Sequence, residues 1–490
     1  MAGSAPRELS SLSASQCRVY VHSIMTARDN RTLERMEHIA TSLDGYGRKG
    51  TWDAVQYSGD LWMQRALVSH PWVVPSATRA DLVLLSSNLS LACNALQLWR
   101  AGQGKAAWGA TSGGFPVVPL PDPFSIRARW LNSSLARNNS RPPVAVQVYT
   151  GCEKGSFWGT NSLRLTDSFF GADLEHQKSA LIPYVLSRPQ MARGSETLRN
   201  LTLGLQRWPE RRLIHFVGHV PKFYISTTRM LIWTQINREP DVTARSHTVR
   251  CHLAPFTICD HPERLDAEFK TYCAPYCGGI GMTPSNPCRR RNANSLKKDC
   301  ARFREYGINA TLHLPELNAN RTRQTGHLPY DVWLQEAAAH RFCVVARGDH
   351  PGTPKLADFV LLGAAGGCIP LVVVPTHFTR GKPTPALPYG RWFDWCSAAV
   401  IVSEETAEKD FAGKVLPRLR AMSAQEAAHK QRALDTIRDA FYWRVEAERP
   451  GGADYALAEA CVLARQHANG SKAARDALRR SAMAYLKCAL

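Results

Sequence analysis

Three stretches in the second half of the chain carry residues whose types and order suit the handling of an anion. Phe342-Cys-Val-Val-Ala-Arg-Gly-Asp349 is an apolar run that ends in Arg347, Gly348 and Asp349, ahead of a loop containing Pro351 and Gly352. Thr353-Pro-Lys-Leu-Ala-Asp358 follows and reads as the opening of a helix. Gly367-Cys-Ile-Pro370 separates that helix from a Leu/Val strand. A glycine-containing loop that runs into a helix N-terminus offers free N–H groups and the positive end of a dipole to an anion. In open α/β sheets this place, outside the carboxyl ends of the strands, is where nucleotides bind. An acidic residue in the helix can then accept hydrogen bonds from ribose hydroxyls. Taken singly, Arg347-Gly-Asp349 also reads as a turn with a local ion pair, and Gly367–Pro370 as helix termination.

The elements around these stretches follow from periodicity and turn residues. Strands are expected over Arg18–His22, Ala80–Leu85, Val144–Tyr149, Arg211–Gly218, Phe342–Ala346 and Ile369–Val374. Helices are expected over Thr228–Asn237, Tyr330–His340 and Leu356–Ala365. From Ser423 onward the chain reads as helical, opened by the capping-box pattern Ser423-Ala-Gln-Glu426. Strand–helix alternation of this kind argues for parallel sheets. The uncharged run Phe359–Pro375 is short for a membrane span and is broken by Gly363, Gly366, Gly367 and Pro370. It reads as a buried helix followed by a buried strand. The polar segment Met191–Leu205 is suited to join two halves.

The chain has 490 residues, 44% hydrophobic and 21% charged, which excludes collagen-like, coiled-coil and mostly disordered classes. Lys and Arg number 61 against 41 Asp and Glu, a formal charge of +20 that favours anionic partners. The basic residues are scattered and no nucleic-acid motif of recognised spacing is present, so nucleic acid is not the expected partner. Of the 14 cysteines, six (Cys251, Cys259, Cys273, Cys277, Cys288, Cys300) fall within fifty residues. They read as a disulfide-stapled insertion, as a zinc site or as free thiols. Eight Asn-x-Ser/Thr sequons, at Asn30, Asn88, Asn132, Asn138, Asn200, Asn309, Asn320 and Asn469, compare with about two by chance. That excess favours folding in a secretory lumen and hence disulfides in the block. Cys343 and Cys368, on buried elements, are expected to stay reduced or unreactive. The first residues show no apolar signal or anchor segment, so a lumenal chain would have its anchor or signal elsewhere.

Between Tyr330 and Glu404 the order of motifs resembles the signature of the exostosin family of glycosyltransferases. The matching residues are Phe342-Cys343, Gly348-Asp349, Lys355-Leu356-Ala357-Asp358, Gly367–Pro370, Leu387-Pro388, Asp394-Trp395 and Val400–Glu404. Upstream, Val19-Tyr20-Val21, Ala80–Leu85, Ile182-Pro183-Tyr184 and Phe216–Gly218 with Arg229 agree in order, so the resemblance runs from about residue 17 to 460. Three features depart from the family pattern. Lys355 stands where Arg is usual, Thr150–Gly155 replaces a His-Asp-x-Gly segment, and the block 250–300 has no counterpart.

The resemblance implies an α/β, GT-B-like architecture in which two Rossmann-like domains face a cleft, with a helical C-terminal segment. The boundaries are then a disordered 1–16, an acceptor domain over 17–205, a nucleotide-sugar domain over 206–422 holding the Cys-rich insertion 250–300, and C-terminal helices over 423–490. It implies inverting transfer from a nucleotide sugar, a UDP-sugar, to a glycan or glycoprotein in the Golgi lumen, with no cofactor. No Asp-x-Asp occurs, so no metal ligand is assigned. Leaving-group charge then falls to Arg229, Arg347 and Lys355, with Asp358 on the ribose and Gly218, Gly348 and Gly367 allowing close backbone approach. An inverting displacement needs a base in the first domain, for which Glu153 and His22 are the candidates. The altered 150–155 segment leaves a second reading, a non-catalytic glycan-binding or partner-stabilising subunit.

Overall fold

The computed structural model describes residues 17–23, 63–64, 66–86, 144–149, 162–166, 179–181, 200, 202–218, 228–246, 330–347, 353–375, 387–442, 451–469, 480–481 and 483–490. Within them the chain forms two all-parallel sheets. Glu153, Gly348, the 150–155 segment, Ile182–Tyr184 and the Cys-rich block 250–300 lie outside the described residues.

The first sheet contains β1 (Val19–Ser23), β2 (Leu82–Ser86), β3 (Val144–Tyr149), β4 (Ser162–Thr166) and β5 (Ser179–Leu181), side by side in that order. Parallel strands covered on both faces need continuous apolar runs, and Leu82, Val83 and Leu84 are all 0–2% exposed. Val19 pairs with Leu82 on one side. On its other side it bonds residues 72–74, through Val19 N–H to Trp72 O (2.8 Å) and Val74 N–H to Val19 O (2.9 Å), so this edge is partly covered.

The second sheet contains β6 (Arg212–Gly218), β7 (Val242–Ser246), β8 (His340–Val345), β9 (Ile369–Val374) and β10 (Val400–Ser403), in the order β10-β9-β8-β6-β7. Alternate residues of its strands feed two separate cores. Ile214, Phe216, Phe342, Val344, Leu371 and Val373 pack on one face. Cys343, Val345, Cys368, Val372 and Val374 pack on the other. The first face is covered by α1 (Thr228–Ile236) and by the helical segment Glu404–Arg420. The second is covered by α2 (Tyr330–Ala338) and α3 (Pro354–Ala364). The apolar run Phe359–Pro375 is thus the inner part of α3 and β9, as its glycines and proline indicate.

After β9 come α4 (Trp395–Ala398), then α5 (Glu404–Asp410), which passes through a π turn at Phe411–Val415 into α6 (Leu416–Arg420). The π turn has a visible cause. The Gln235 side chain of α1 accepts from the N–H groups of Phe411 (2.5 Å) and Ala412 (3.3 Å) and donates to the carbonyls of Ala407 (3.2 Å) and Glu408 (2.9 Å). Helix α7 (Ala424–Ile437) starts where the capping pattern puts it, with Ser423 Oγ accepting from Glu426 N–H at 3.1 Å. Only half of the box forms, because the Glu426 carboxylate pairs with Arg418 at 2.7 Å.

The last long helix, α8 (Gly452–Asn469), belongs to both halves of the chain. Its Cys461 is disulfide-bonded to Cys17 beside β1, and its Asp454 accepts from His70 Nε2 at 3.0 Å. His70 Nδ1 accepts from Trp72 N–H (3.2 Å), which puts the proton of the neutral ring on Nε2, facing Asp454. On the other side Tyr389 OH donates to Gly452 O (2.9 Å) and Arg391 pairs with Glu459 (2.8 Å). Among the described residues, no helix is long and apolar enough to cross a membrane.

Cys343 and Cys368, expected to remain reduced or unreactive, are not reduced: they are joined in a buried disulfide. Strand register is the reason. Cys343 lies opposite Pro370, so Cys368, two residues before Pro370 at the entry to β9, comes within 5.7 Å Cα to Cα. A third disulfide joins Cys396 to Cys488.

At the start of β8 a buried histidine makes stability depend on pH. His340 Nδ1–H donates to Glu336 O (2.7 Å), and its Nε2 accepts from Thr243 Oγ1 (2.8 Å). Burial, reinforced by the His215 ring, pushes His340 from 6.5 down to about 4. The unfolded chain then binds this proton more readily, so the stabilisation is complete above pH 6.5 and is lost as pH falls toward 4. At about 1.4 kcal/mol per unit, the loss approaches 3 kcal/mol. Urea midpoints at pH 7 and pH 4.5 should show this slope in the wild type and a reduced one in His340→Gln.

Candidate functional site

Counted along the chain, the strands of the second sheet lie in the order 2-1-3-4-5, with β7-β6-β8-β9-β10 as its members. The order reverses between β6 and β8, and from that point connections leave toward opposite faces. Their carboxyl ends therefore part at a topological switch point, the crevice position at which doubly wound sheets take ligands. The described strands of the first sheet run in simple succession and have no such reversal.

Four chain segments meet at this crevice. β6 ends in Val217 and Gly218, α1 begins with Thr228 and Arg229, β8 runs out into Ala346 and Arg347, and α3 begins with Pro354 and Lys355. Arg229 donates through Nε (3.1 Å) and Nη2 (2.8 Å) to the carbonyl of Ala346, bracing the exit of β8 from the start of α1. Lys355 donates to the carbonyl of Val217, bracing the exit of β6 from the start of α3. Arg347 Nε meets Glu404 Oε1 at 2.5 Å, and Glu404 opens α5 directly after β10. The Thr228 hydroxyl reaches Glu404 and, at 2.7 Å, Glu408 one turn further on.

The electrostatics suit an anion. Burial, reinforced by the Arg229 guanidinium, pushes Lys355 from 10.5 down to about 7, with Asp358 pulling the other way. Its ammonium thus gains from any negative charge that enters. Thr353 precedes α3 in extended conformation and makes no side-chain cap bond, and Pro354 occupies its first turn.

Of the residues assigned from the sequence, Gly218, Arg229, Arg347, Lys355 and Asp358 come together here. Asp358 differs from expectation in one respect. It is buried, 6% exposed, within α3 and acts on Lys355, so removing it would disturb the lysine as well as any ligand. His22 stands fourth of five residues in β1 of the first sheet, half-buried, with burial lowering its pKa.

Gly367 is a correction. It lies between α3 and the start of β9, at the amino ends of the strands and away from the crevice. Its N–H bonds Leu362 O (2.9 Å) and the Gly366 N–H bonds Gly363 O (3.0 Å), with Gly366 at φ 92°, which is the Schellman arrangement that ends α3. A Cβ on Gly367 would stand 2.7 Å from Leu362 Cγ. The helix-termination reading of Gly367–Pro370 therefore accounts for the glycine.

Thr228 and Glu408 were not singled out from the sequence, and Glu404 was seen only as the end of a strand motif. The available signal was the four-residue spacing of Glu404 and Glu408 after a buried strand, which puts both on one helix face. Comparison with protein-family models and with curated proteins returns no match for this chain.

Proposed function

We propose that the chain is an inverting glycosyltransferase of GT-B architecture, resembling the exostosins, that moves a sugar from a UDP-sugar to a glycan or glycoprotein acceptor in the Golgi lumen. The observation that carries the reading is the convergence of Arg229, Arg347 and Lys355 at the one strand-order reversal among the described residues. In such a transfer the bond from the anomeric carbon to the nucleotide diphosphate breaks as the acceptor hydroxyl attacks from the opposite face. Negative charge grows on the departing phosphate. Fixed cations beside that phosphate stabilise the transition state more than the ground state, which is the condition for catalysis. Glu404 holds Arg347 by its Nε edge, and this fixes the direction in which the guanidinium plane faces. The acceptor proton goes to a base of the first domain, Glu153 or His22.

One observation favours the second reading, a non-catalytic subunit. Arg229 and Lys355 spend hydrogen bonds on the carbonyls of Ala346 and Val217, so they also serve the fold. A screen of UDP-sugars separates the two. Donor hydrolysis should be detectable with one of them and should persist in EDTA, because the sequence has no Asp-x-Asp pair to hold a catalytic metal on the diphosphate. Loss in EDTA with recovery on adding manganese would overturn the metal-independent mechanism. Binding of UDP with no hydrolysis or transfer from any donor would favour the subunit.

A further inference from the structure

The three disulfides among the described residues differ in access. Cys17, Cys461, Cys343 and Cys368 are 0–1% exposed, whereas Cys396 and Cys488 are both half-buried. The two ends of this third bridge are also held differently. Cys396 lies on α4, which is pinned on several sides. The Asp394 carboxylate accepts from Cys396 N–H (3.2 Å), Lys430 Nζ donates to the carbonyls of Cys396 (2.8 Å) and Ala399 (2.9 Å), and buried Trp395 donates to Pro388 O (2.9 Å). Cys488 ends a single 3-10 turn, Ala484–Cys488, anchored in the core by Tyr485 at 2% exposed. Beyond Tyr485, Leu486, Cys488 and Ala489 are only partly buried and Leu490 is 37% exposed.

Those last residues cover a sheet edge. Leu490 N–H donates to Ile401 O (3.0 Å) and Leu490 O accepts from Ser403 N–H (3.0 Å), so Leu490 continues the sheet beyond β10. An uncovered edge strand presents a row of donors and acceptors ready to pair with another chain. Two hydrogen bonds and a few partly buried side chains are little to hold residues 486–490 against their conformational entropy. The disulfide supplies the remaining constraint.

We infer that Cys396–Cys488 is a redox-operated latch on the β10 edge, and that its reduction by a dithiol frees residues 486–490 while the rest of the sheet stays paired. In the reaction a thiolate of the dithiol attacks one sulfur of the bridge and expels the other as a cysteine thiolate. The second thiol of the reagent then displaces the remaining cysteine, and the reagent leaves as a cyclic disulfide. Two electrons pass to the cysteines, which take up two protons, and the dithiol is oxidised by the same amount. Exchange needs access to a sulfur, which the two buried bridges deny. Release uncovers the N–H of Ser403, one residue before the glutamate that holds Arg347, yet the latch stands independently of the transferase reading.

The test treats the whole oxidised chain with graded dithiothreitol in the absence of denaturant. Free thiols are alkylated and mapped, and amide hydrogen exchange is followed across residues 400–404 and 486–490. Cys396 and Cys488 should be labelled before any of the other four. The amides of Ser403 and Leu490 should then exchange about tenfold faster or more, with β8 and β9 unchanged. The double variant Cys396→Ser/Cys488→Ser should show the same exchange without reductant. Dimers formed by the reduced chain through β10 would also support the latch, the opened edge having been taken by a second copy. Simultaneous reaction of all six cysteines, or continued protection of Ser403 once the bridge is cut or in the double variant, would overturn it.

Discussion

Replacing Arg391 with leucine is expected to lower stability by about 3–5 kcal/mol, because it leaves the Glu459 carboxylate in the core without its partner. Arg391 and Glu459 meet at 2.8 Å with side chains 11% and 3% exposed. Burial already raises the Glu459 carboxyl above its ordinary value of 4.5, with Arg391 first and the Trp392 side chain second opposing the shift. Without Arg391 the folded value rises further. Between the unfolded and folded values the native state holds the extra proton, so stability falls as pH rises through that window and returns as pH falls. The deficit of Arg391→Leu relative to the wild type should therefore shrink on acidification from pH 7 toward pH 5. The double variant Arg391→Leu/Glu459→Leu should recover most of it, since an apolar pair of similar volume carries no charge to desolvate. Denaturation midpoints of the three proteins across that range decide it. A deficit in Arg391→Leu below about 1 kcal/mol, or one that grows in acid, would show that Glu459 is solvated.

The second large effect is on ligand affinity. Lys355→Ala should weaken UDP binding by about 1.5–3 kcal/mol, roughly tenfold to a hundredfold or more, the range of a charge-assisted hydrogen bond. A pH signature separates direct contact from loss of the brace to Val217. Burial holds the ligand-free Lys355 down at about 7, and a diphosphate beside it would raise that value. Below pH 7 the ammonium is already present and affinity is constant on this account. Above it, binding must recover the proton, so affinity falls with rising pH and up to about one proton is taken up per UDP. Calorimetry in two buffers of different ionisation enthalpy measures the uptake directly. It should be present in the wild type and absent in Lys355→Ala. Asp358→Asn is the gentler probe of the neighbouring carboxylate, since it keeps the volume of a residue that is buried within α3.

Much of the second sheet was readable because its strands are short runs of large apolar residues. Ile369–Val374 is buried at every position, and no amphipathic alternative competes with it. β4 (Ser162–Thr166, SLRLT), β7 (Val242–Ser246, VTARS) and the three-residue β5 were missed. β7 and β5 are edge strands and β4 sits beside an edge, where polar residues weaken the periodic signal. The cations of the site could be named from the sequence because they flank strand ends and helix starts. Their partners could not, since Glu404 lies 57 residues from Arg347 and 176 from Thr228. The Cys343–Cys368 bridge was illegible for a related reason. It depends on the register between two strands, which the periodicity of either strand alone does not contain. The Gly367 stretch allowed two readings, and the space beside Leu362 decides for the helix cap.

The central claim is that the crevice between the carboxyl ends of β6 and β8 receives the diphosphate of a nucleotide. Diffraction from crystals of the oxidised chain grown with UDP tests it most directly. The account predicts a diphosphate within hydrogen-bonding distance of Arg347 and Lys355, beyond Gly218 and at the start of α3. A diphosphate bound elsewhere, or a crevice that stays without nucleotide at saturating UDP, would contradict it.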